Sequence, residues 1–397
     1  MKLTTGQTYW DRTQNGEEAF PALQQDLETE VLVIGAGMSG TLAASVLARA
    51  GKQVAVMDSG RAGMGSSSAN TGLLQYSSDT MLSEFVDSIG ERDAVLFYRM
   101  CLEAMDELTE LAGELPDAVE YRLRDSIYYA SREEDAEKLK REYSYLKKYE
   151  FPADFLSRQA LLAEYGIDKP AALHTWHDAE VNPYRFIRAL TDFNAAAGVQ
   201  YYENTPVDVN SRTGSCVRTE SGHTIRYKSL VIATGYTDLY PEIRDKAQIN
   251  QTFAIATEPL AGPLWPDQVM VWETKKPYLY FRTTADRRII AGGLDEESDR
   301  LHEDQELIRR KGQEILDEVA SMFSLADVKI ADAWNSLFGV SKDGLPFLGR
   351  SAKEENTYFL LGYEGNGTCY SMAGARIICD QIDGITNEYA PIVAPGR

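Results

Sequence analysis

The chain of 397 residues reads as an α/β protein, a Rossmann-like domain interwoven with a β-sheet-rich α+β second domain. Three observations predict this. "VLVIGAGMSG", Val31–Gly40, runs four apolar residues into Gly35, Gly37 and Gly40, the spacing of a strand that turns sharply into a helix. Strands alternate with helices at both ends of the chain, around a middle rich in β pattern. No repeat or low-complexity linker separates the parts, so the two domains share the chain in pieces.

Residues 1–29 read as a polar leader with an aromatic anchor, Tyr9 and Trp10. Strand Val31–Ile34, the glycine turn and an Ala/Leu helix to about Ala50 follow, with Gly51 as helix stop. "QVAVMD" closes a strand–helix–strand unit on Asp58. Ser83–Leu115 has the spacing of an amphipathic helix, and "RDSIYYAS" alternates like a strand. "REEDAEKLKREYSYLKKYE" sets Leu139, Tyr143, Leu146 and Tyr149 on one helix face, with charges on a solvated face or a lid. "NPYRFIRALTDFNAAAG" is helical, with Pro183 in its first turn and Gly198 past its end. Strand-like "VQYYENTPVDVN", a hairpin at "ESGHT" and "YKSLVIATG" come next. Residues 251–293 are mostly β, with a hairpin turn at Ala285–Asp286. The chain finishes with helix "DQELIRRKGQEILDEVASMF", strands "VKIADAWNSLFGV" and "YFLLGYEGNG", and helix "TCYSMAGARIICDQI".

The composition excludes several classes. A formal charge of −21 repels phosphate backbones and anionic lipid heads, so neither nucleic acid nor a membrane is expected as partner. No apolar run reaches the roughly 18 residues of a membrane span, and the N-terminus lacks the apolar core of a signal peptide. Four scattered cysteines without a CxxC pair fit a reducing cytoplasm. His174 and His177 of "LHTWHD" lack a third ligand at zinc-like spacing, so no metal is expected.

The glycine turn opens a helix whose free N–H groups and dipole suit a pyrophosphate. Asp58, 18 residues after Gly40, stands where a ribose diol is held and would repel a 2′-phosphate. Gly63–Leu73 is dominated by Gly, Ser, Ala, Asn and Thr, small enough for backbone to approach a flat ligand. "VIATGYT" ends a strand in a small-residue turn suited to packing beside the first glycine turn. Gly365, Asn366 and Gly367 precede the last helix and form a second backbone nest. Two nests far apart in sequence suit a dinucleotide with polar ends: a pyrophosphate, and the N1–C2=O edge of a flavin.

With these motifs, the chain resembles the D-amino-acid-oxidase-type flavoprotein superfamily from about Glu30 to Gly384. "VIGAGMSG", "MDSGRAGMGSSSANTG", "ENTPVDV", "VIATG", "KDGLPFLG" and "GYEGNG" carry the resemblance in order. It implies an FAD-dependent oxidoreductase with the FAD-binding domain in 25–90, 175–250 and 335–390 and the substrate domain in 91–174 and 251–334. Cofactor contacts are expected from Gly35, Gly37, Met38, Ser39, Gly40, Asp58, Ser59 and Arg61. Further contacts are expected from Gly65, Ser66, Ser67, Ser68, Thr71, Gly72 and Leu73, from backbone at Val207, and from Ala233, Thr234 and Gly235. Gly365, Asn366, Gly367 and Thr368 are expected at the flavin's pyrimidine edge.

The departures speak to substrate. Glycine-oxidase-like members carry a carboxylate-binding Arg where this chain has Phe338. Sarcosine-oxidase-like members use an Arg and a Lys where this chain has Gln75 and Cys369. The expected substrate is therefore a small-molecule amine, with Gln75, Tyr280 and Phe338 at the reacting end. Arg282 of "YLYFRTT" is the alternative anchor should the substrate be an amino acid. Ser336 stands where sarcosine oxidases attach flavin through cysteine, so the FAD is expected to be noncovalent. Ile290 falls near the lysine that promotes their reaction with oxygen, which leaves oxygen or another electron acceptor. A flavoprotein module with little turnover of its own is a further alternative.

Overall fold

The computed structural model describes residues 2–13, 19–236 and 240–397. Residues 14–18 of the expected leader and Thr237 of "VIATGYT" lie outside the described residues. Among the described residues the strands form two sheets. The first has the order Phe347–Arg350, Thr357–Leu361, Thr224–Ile232, Leu27–Ile34, Val54–Met57 and Gln200–Tyr202. From Thr357–Leu361 onward its pairs are parallel, with antiparallel Phe347–Arg350 on the edge. These central strands are buried on both faces, which is why they read as unbroken apolar runs such as "VLVI". Helices Met38–Arg49 and Gly367–Ile382 pack against each other on this sheet through alanines and Leu42, Leu47 and Ile378.

The second sheet is mixed and runs Thr4–Gly6, Ile330–Ser341, Ala247–Thr257, Ile289–Glu296, Tyr280–Thr283, Met270–Glu273, Arg122–Tyr129, Ala171–Glu180 and Leu73–Leu74. Leu73–Leu74 pairs with Ala179 and Glu180, so the loop after the first βαβ unit ends as an edge strand of the other sheet. Helix Gln305–Met322 covers this sheet through Ile308, Ile315, Leu316 and Val319. Asp304 caps it by accepting from Glu306 N–H at 2.9 Å.

Several expectations change. The leader is structured at its start: Thr4–Gly6 pairs with Ser336, Asn335 and Trp334. Trp10 is fully buried and donates from its indole to the Asn70 carbonyl at 2.6 Å. The helix expected over Ser83–Leu115 is two helices, Leu82–Ile89 and Glu91–Ala112, because Gly90 takes a left-handed φ of 87°. The charge-rich helix Asp135–Lys148 is no lid: Leu139 and Leu146 are buried in the main core, and it packs on the Ala153–Ser157 strand. The expected division points 174/175 and 334/335 fall inside strands Ala171–Glu180 and Ile330–Ser341, which belong whole to the second sheet.

Trp10 and Trp334 flank the Ser66–Leu73 loop, the second donating to the Ala69 carbonyl at 3.0 Å. Trp10→Ala should therefore cost about 3–5 kcal/mol of stability, read from urea unfolding. A loss below about 1 kcal/mol would show that the leader is no part of the cooperative fold.

Candidate active site

The carboxyl ends of the parallel strands meet at one point. Gly35 has a φ of 108°, and a Cβ there would lie 2.3 Å from the Ala233 carbonyl oxygen. A Cβ on Gly40 would lie 1.8 Å from the Gly35 oxygen. Both glycines are thus required by the protein's own packing. Gly37 is different: its φ of −80° suits any residue, and a Cβ would meet only the Ser67 hydroxyl, at 3.0 Å. Nothing inside the protein asks for glycine at 37, so the missing side chain leaves room for something outside it.

Gly37 caps helix Met38–Arg49 without a side-chain acceptor, and the Met38 N–H donates to the Ser67 hydroxyl at 3.0 Å. Ser39 bonds Ser371 at 2.7 Å and ties this helix to Gly367–Ile382. Asp58 accepts from the Ala36 and Gly60 N–H groups at 2.7 and 2.8 Å, one on each oxygen. Burial raises its pKa, partly offset by those two bonds. Thr205 and Asn204 N–H groups donate to the Asp58 and Gly60 carbonyls at 2.7 and 2.8 Å, which brings the segment before Val207 against this turn. Buried Glu203 receives the Ala62 N–H and pairs with Arg188 at 3.0 Å, and Arg61 stands 3.8 Å away. Ser59 is exposed beside them.

A cavity opens between the two sheets. Ser66, Asn70, Thr71, Leu73 and Gln75 line one wall, and Gly365, Asn366 and Gly367 another. The Ser66 hydroxyl is buried without a partner. Gly65 and Ser68 hold the short helical turn Ser66–Ala69, where Ser68 donates to the Gly65 carbonyl at 2.9 Å. The Asn366 amide donates to the carbonyls of Gln75 and Ser77, and the Gly365 N–H donates to Asp79 Oδ2 at 2.7 Å. Thr368 is buried in the first turn of its helix. Gly235 takes a φ of 61° beside Thr234 at the end of its strand. The Ser-rich loop and Gly365–Gly367 therefore line one space, and the glycine turn is tied to them from outside its lining by the Met38–Ser67 and Ser39–Ser371 bonds.

Of the residues expected at the reacting end, Gln75, Tyr280 and Phe338 line the cavity. Arg282 does not, which corrects its reading as an anchor. Its Nε donates to the Thr71 carbonyl at 2.7 Å, Nη1 to Thr283 at 2.9 Å and Nη2 to Val181 at 2.7 Å. It is buried, 3.8 Å from Glu180, and burial lowers its pKa. A guanidinium spent on three carbonyls is a strut under the loop. Cys369 is turned away too, with its thiol on the Cys101 carbonyl at 3.3 Å, and Ile290 is buried in a small core with Trp10 and Trp334. His174 and His177 face separate carboxylates, Asp125 at 2.9 Å and Asp106 at 3.4 Å. Among the described residues no cluster of three or more His, Cys, Asp and Glu could hold a metal.

The sequence reading missed the acids and rings of the cavity. Asp79, Asp295 and Glu364 line it together with Tyr236, Trp272 and Tyr278. Tyr278 donates to Asp79 Oδ1 at 3.2 Å. The Glu364 carboxylate accepts the Ser341 N–H and, at 2.9 Å, its hydroxyl. Burial, with Asp79 nearby, lifts the pKa of Glu364 to about 7 and that of Asp295 to about 6. Lys276 at the rim lies 4.7 Å above the Tyr278 ring. Glu364 sits inside the quoted "GYEGNG" and could have been picked out as the one acid in that motif.

Residues 30–381 match the model of the FAD dependent oxidoreductase family known as DAO. The chain belongs to that family. It is 26% identical to gamma-glutamylputrescine oxidoreductase of Escherichia coli, over 95% of this chain and 89% of the relative. It is 25% identical to glycine oxidase of Geobacillus kaustophilus, over 89% and 93%. The crystal structure of glycine oxidase from the same organism superposes with a TM-score of 0.77 at 20% identity, covering 92% of this chain and 98% of that one. The residues present fit the family's cofactor. Gly37 leaves a bare backbone at a helix start, Ser66 offers an unpartnered buried hydroxyl, and the nest at 365–368 opens on the same cavity. Among the described residues no helix is long and apolar enough to cross a membrane.

Because the fold tolerates a side chain at 37, Gly37→Val should keep its circular dichroism and lose FAD. Gly40→Val should instead fail to fold, since its Cβ would collide with backbone. A Gly37→Val protein that stays yellow would remove this turn from the cofactor site. Asp58→Ala, with about 1.5–3 kcal/mol of charged hydrogen bonds lost, should weaken FAD roughly ten- to a hundredfold by titration of apoprotein.

Proposed function

We propose that the protein oxidises the C–N bond of an amine whose reacting carbon bears no carboxylate, using noncovalent FAD. The observation that carries this is the chemistry of the cavity wall. Three carboxylates, Asp79, Asp295 and Glu364, share it with Trp272, Tyr278, Tyr280 and Phe338, and no Lys or Arg is among its lining residues. A cationic amine meets opposite charge and aromatic faces there. A substrate carboxylate would meet like charge and, among the described lining residues, no cation, with Lys276 only at the rim, a cost of several kcal/mol.

Gly37, Ser67, Asp58 and the backbone at Val207 would hold the adenosine diphosphate half of FAD. Ser66, Thr71 and the 365–368 nest would hold the isoalloxazine half. Bound there, FAD supplies a two-electron acceptor for the hydride on the carbon next to nitrogen. The chain's own residues orient that C–H bond between Gln75, Tyr280 and Phe338 and exclude water with the aromatic wall. The N-terminal end of helix Gly367–Ile382 borders the cavity and would favour negative charge developing on a flavin held there. The imine that leaves is hydrolysed by water, and the electrons pass to oxygen or another acceptor. Noncovalent binding is supported by Ser336 at the cavity and by the absence of all four cysteines from its lining.

The test is anaerobic bleaching of the yellow protein by paired compounds, putrescine-like amines against their ornithine-like α-carboxylated analogues. The amine should reduce the flavin at least roughly tenfold faster per half-saturating concentration, about 1.4 kcal/mol at the transition state. Efficient reduction by glycine, sarcosine or a D-amino acid overturns the proposal. No bleaching by any amine or amino acid returns the protein to a flavin-binding module. Acid precipitation should leave FAD in the supernatant; flavin in the pellet overturns noncovalent binding.

A further inference from the structure

An amine reaches this cavity as an ammonium ion, and hydride leaves its carbon only once nitrogen carries a lone pair. One proton must therefore move before the C–H bond breaks. Three carboxylates line the cavity, and their existing bonds set them apart. Asp79 is occupied on both oxygens, by the Gly365 N–H at 2.7 Å and the Tyr278 hydroxyl at 3.2 Å. Asp295 stands on strand Ile289–Glu296 and lines the cavity beside Thr252, from a different segment than Glu364 and Asp79. Glu364 has Oε1 on the N–H and hydroxyl of Ser341. No hydrogen bond engages its Oε2 among those found in the described residues.

The placement of Glu364 is also specific. It is not glycine, yet it takes a left-handed φ of 73°, a strained conformation for a residue with a side chain. Its N–H donates to the Gly339 carbonyl at 2.8 Å, which holds that backbone in place. The strained residue is the one directly before Gly365, so the carboxyl and the nest open on the same cavity from neighbouring positions.

We propose that Glu364 is the catalytic base that takes the proton from the substrate ammonium before hydride transfer. This rests on the amine-oxidation reading above. In the step, an N–H bond breaks and its electron pair stays on nitrogen, giving a neutral amine, while an O–H bond forms on Glu364. The hydride then leaves carbon with its electron pair for the two-electron acceptor that bound FAD would supply, the nitrogen lone pair forms the C=N bond, and Glu364 returns its proton to solvent between turnovers. The groups that face Glu364 suit this. Ser341 steadies the charged form by two hydrogen bonds, and Lys276 favours it from the rim. Burial and the Asp79 charge oppose it, bringing the carboxyl into the range where it can both accept and release a proton near neutrality. Tyr236 and Tyr278 stay protonated, their pKa values raised by burial.

The experiment compares the wild-type holoenzyme with Glu364→Gln, which keeps the side-chain shape and a carbonyl oxygen for Ser341. Anaerobic stopped-flow reduction by a primary alkylamine is followed from pH 6 to 10, reading the rate over half-saturation. Wild type should rise to a plateau with a limb near pH 7. Glu364→Gln should lose the plateau and climb about tenfold per pH unit toward the amine's own pKa near 10, falling roughly a hundredfold below wild type at pH 8. Ser341→Ala should move the wild-type limb upward, because it removes a bond that favours the carboxylate. A protein-only readout accompanies these: the apoprotein infrared difference spectrum, wild type minus Glu364→Gln, should hold a carboxylic-acid band that titrates near pH 7, separate from the bands of Asp178 and Asp295 common to both proteins. A Glu364→Gln profile that keeps the limb and plateau overturns the proposal, as does a wild-type-minus-Glu364→Gln difference spectrum with no titrating carboxylic-acid band. If no amine reduces the wild-type flavin, the amine reading fails instead, and the infrared titration still decides the state of Glu364.

Discussion

The site depends on a collision avoided. Gly35 lets two backbone turns, one after Leu27–Ile34 and one after Thr224–Ile232, approach to a distance at which a Cβ would strike the Ala233 oxygen, and Gly40 lets the helix start fold back onto the Gly35 oxygen. That approach fixes the start of helix Met38–Arg49 relative to the sheet. Ser39–Ser371 then fixes helix Gly367–Ile382 relative to the first, and with it the nest at its start. The two polar ends of the proposed cofactor site are thus referenced to one contact between glycines. Neither helix could shift by a fraction of an ångström without opening a void or a clash in a core packed at crystal-like density.

The second sheet is joined to this frame by a buried cation. Arg282 reaches from strand Tyr280–Thr283 to the carbonyls of Thr71 and Val181, and a Cβ on Gly72 would collide with both the Val181 oxygen and the guanidinium. Burying that charge is costly unless its donors are met. Three carbonyl bonds and Glu180 at 3.8 Å meet most of the need. The Ser-rich loop is therefore pinned at three successive carbonyls, Ala69 by Trp334, Asn70 by Trp10 and Thr71 by Arg282, which gives a loop of small polar residues the rigidity that its composition lacks.

What could be read from the sequence was what is local. The glycine turn, Asp58, the Ser-rich loop and the 365–368 nest each declare themselves within a few residues, because a backbone that must bend or approach a ligand leaves small residues in order. The β-rich middle was legible from its alternation, and the two ends from theirs. The acidic wall was not, since Asp79, Asp295 and Glu364 come from three remote segments and share a cavity only after both sheets assemble. Arg282 was misread for a related reason. Sequence shows an arginine on a strand near the right place, and only the structure shows that its donors point to backbone rather than to open space. Gly90 was read through as helix because glycine costs a helix only about 1 kcal/mol, while its φ of 87° decides the break.

The charge of the cavity and that of the whole chain point the same way, but they act at different ranges. A net charge of −21 draws cations toward the surface, an attraction that salt screens beyond about 8 Å. Inside the cavity the carboxylates act with little screening and hold a cation once it has arrived. Holding it well creates a difficulty, because the form that binds is the protonated amine and the form that reacts is the neutral one. A wall of fully ionised acids would trap the substrate in its unreactive state. Burying Asp295 and Glu364, each with Asp79 nearby, raises their proton affinity, which makes binding a cation and taking its proton compatible in the proposed reaction. On the proposed reading, the burial of these acids around one cavity serves recognition and chemistry together.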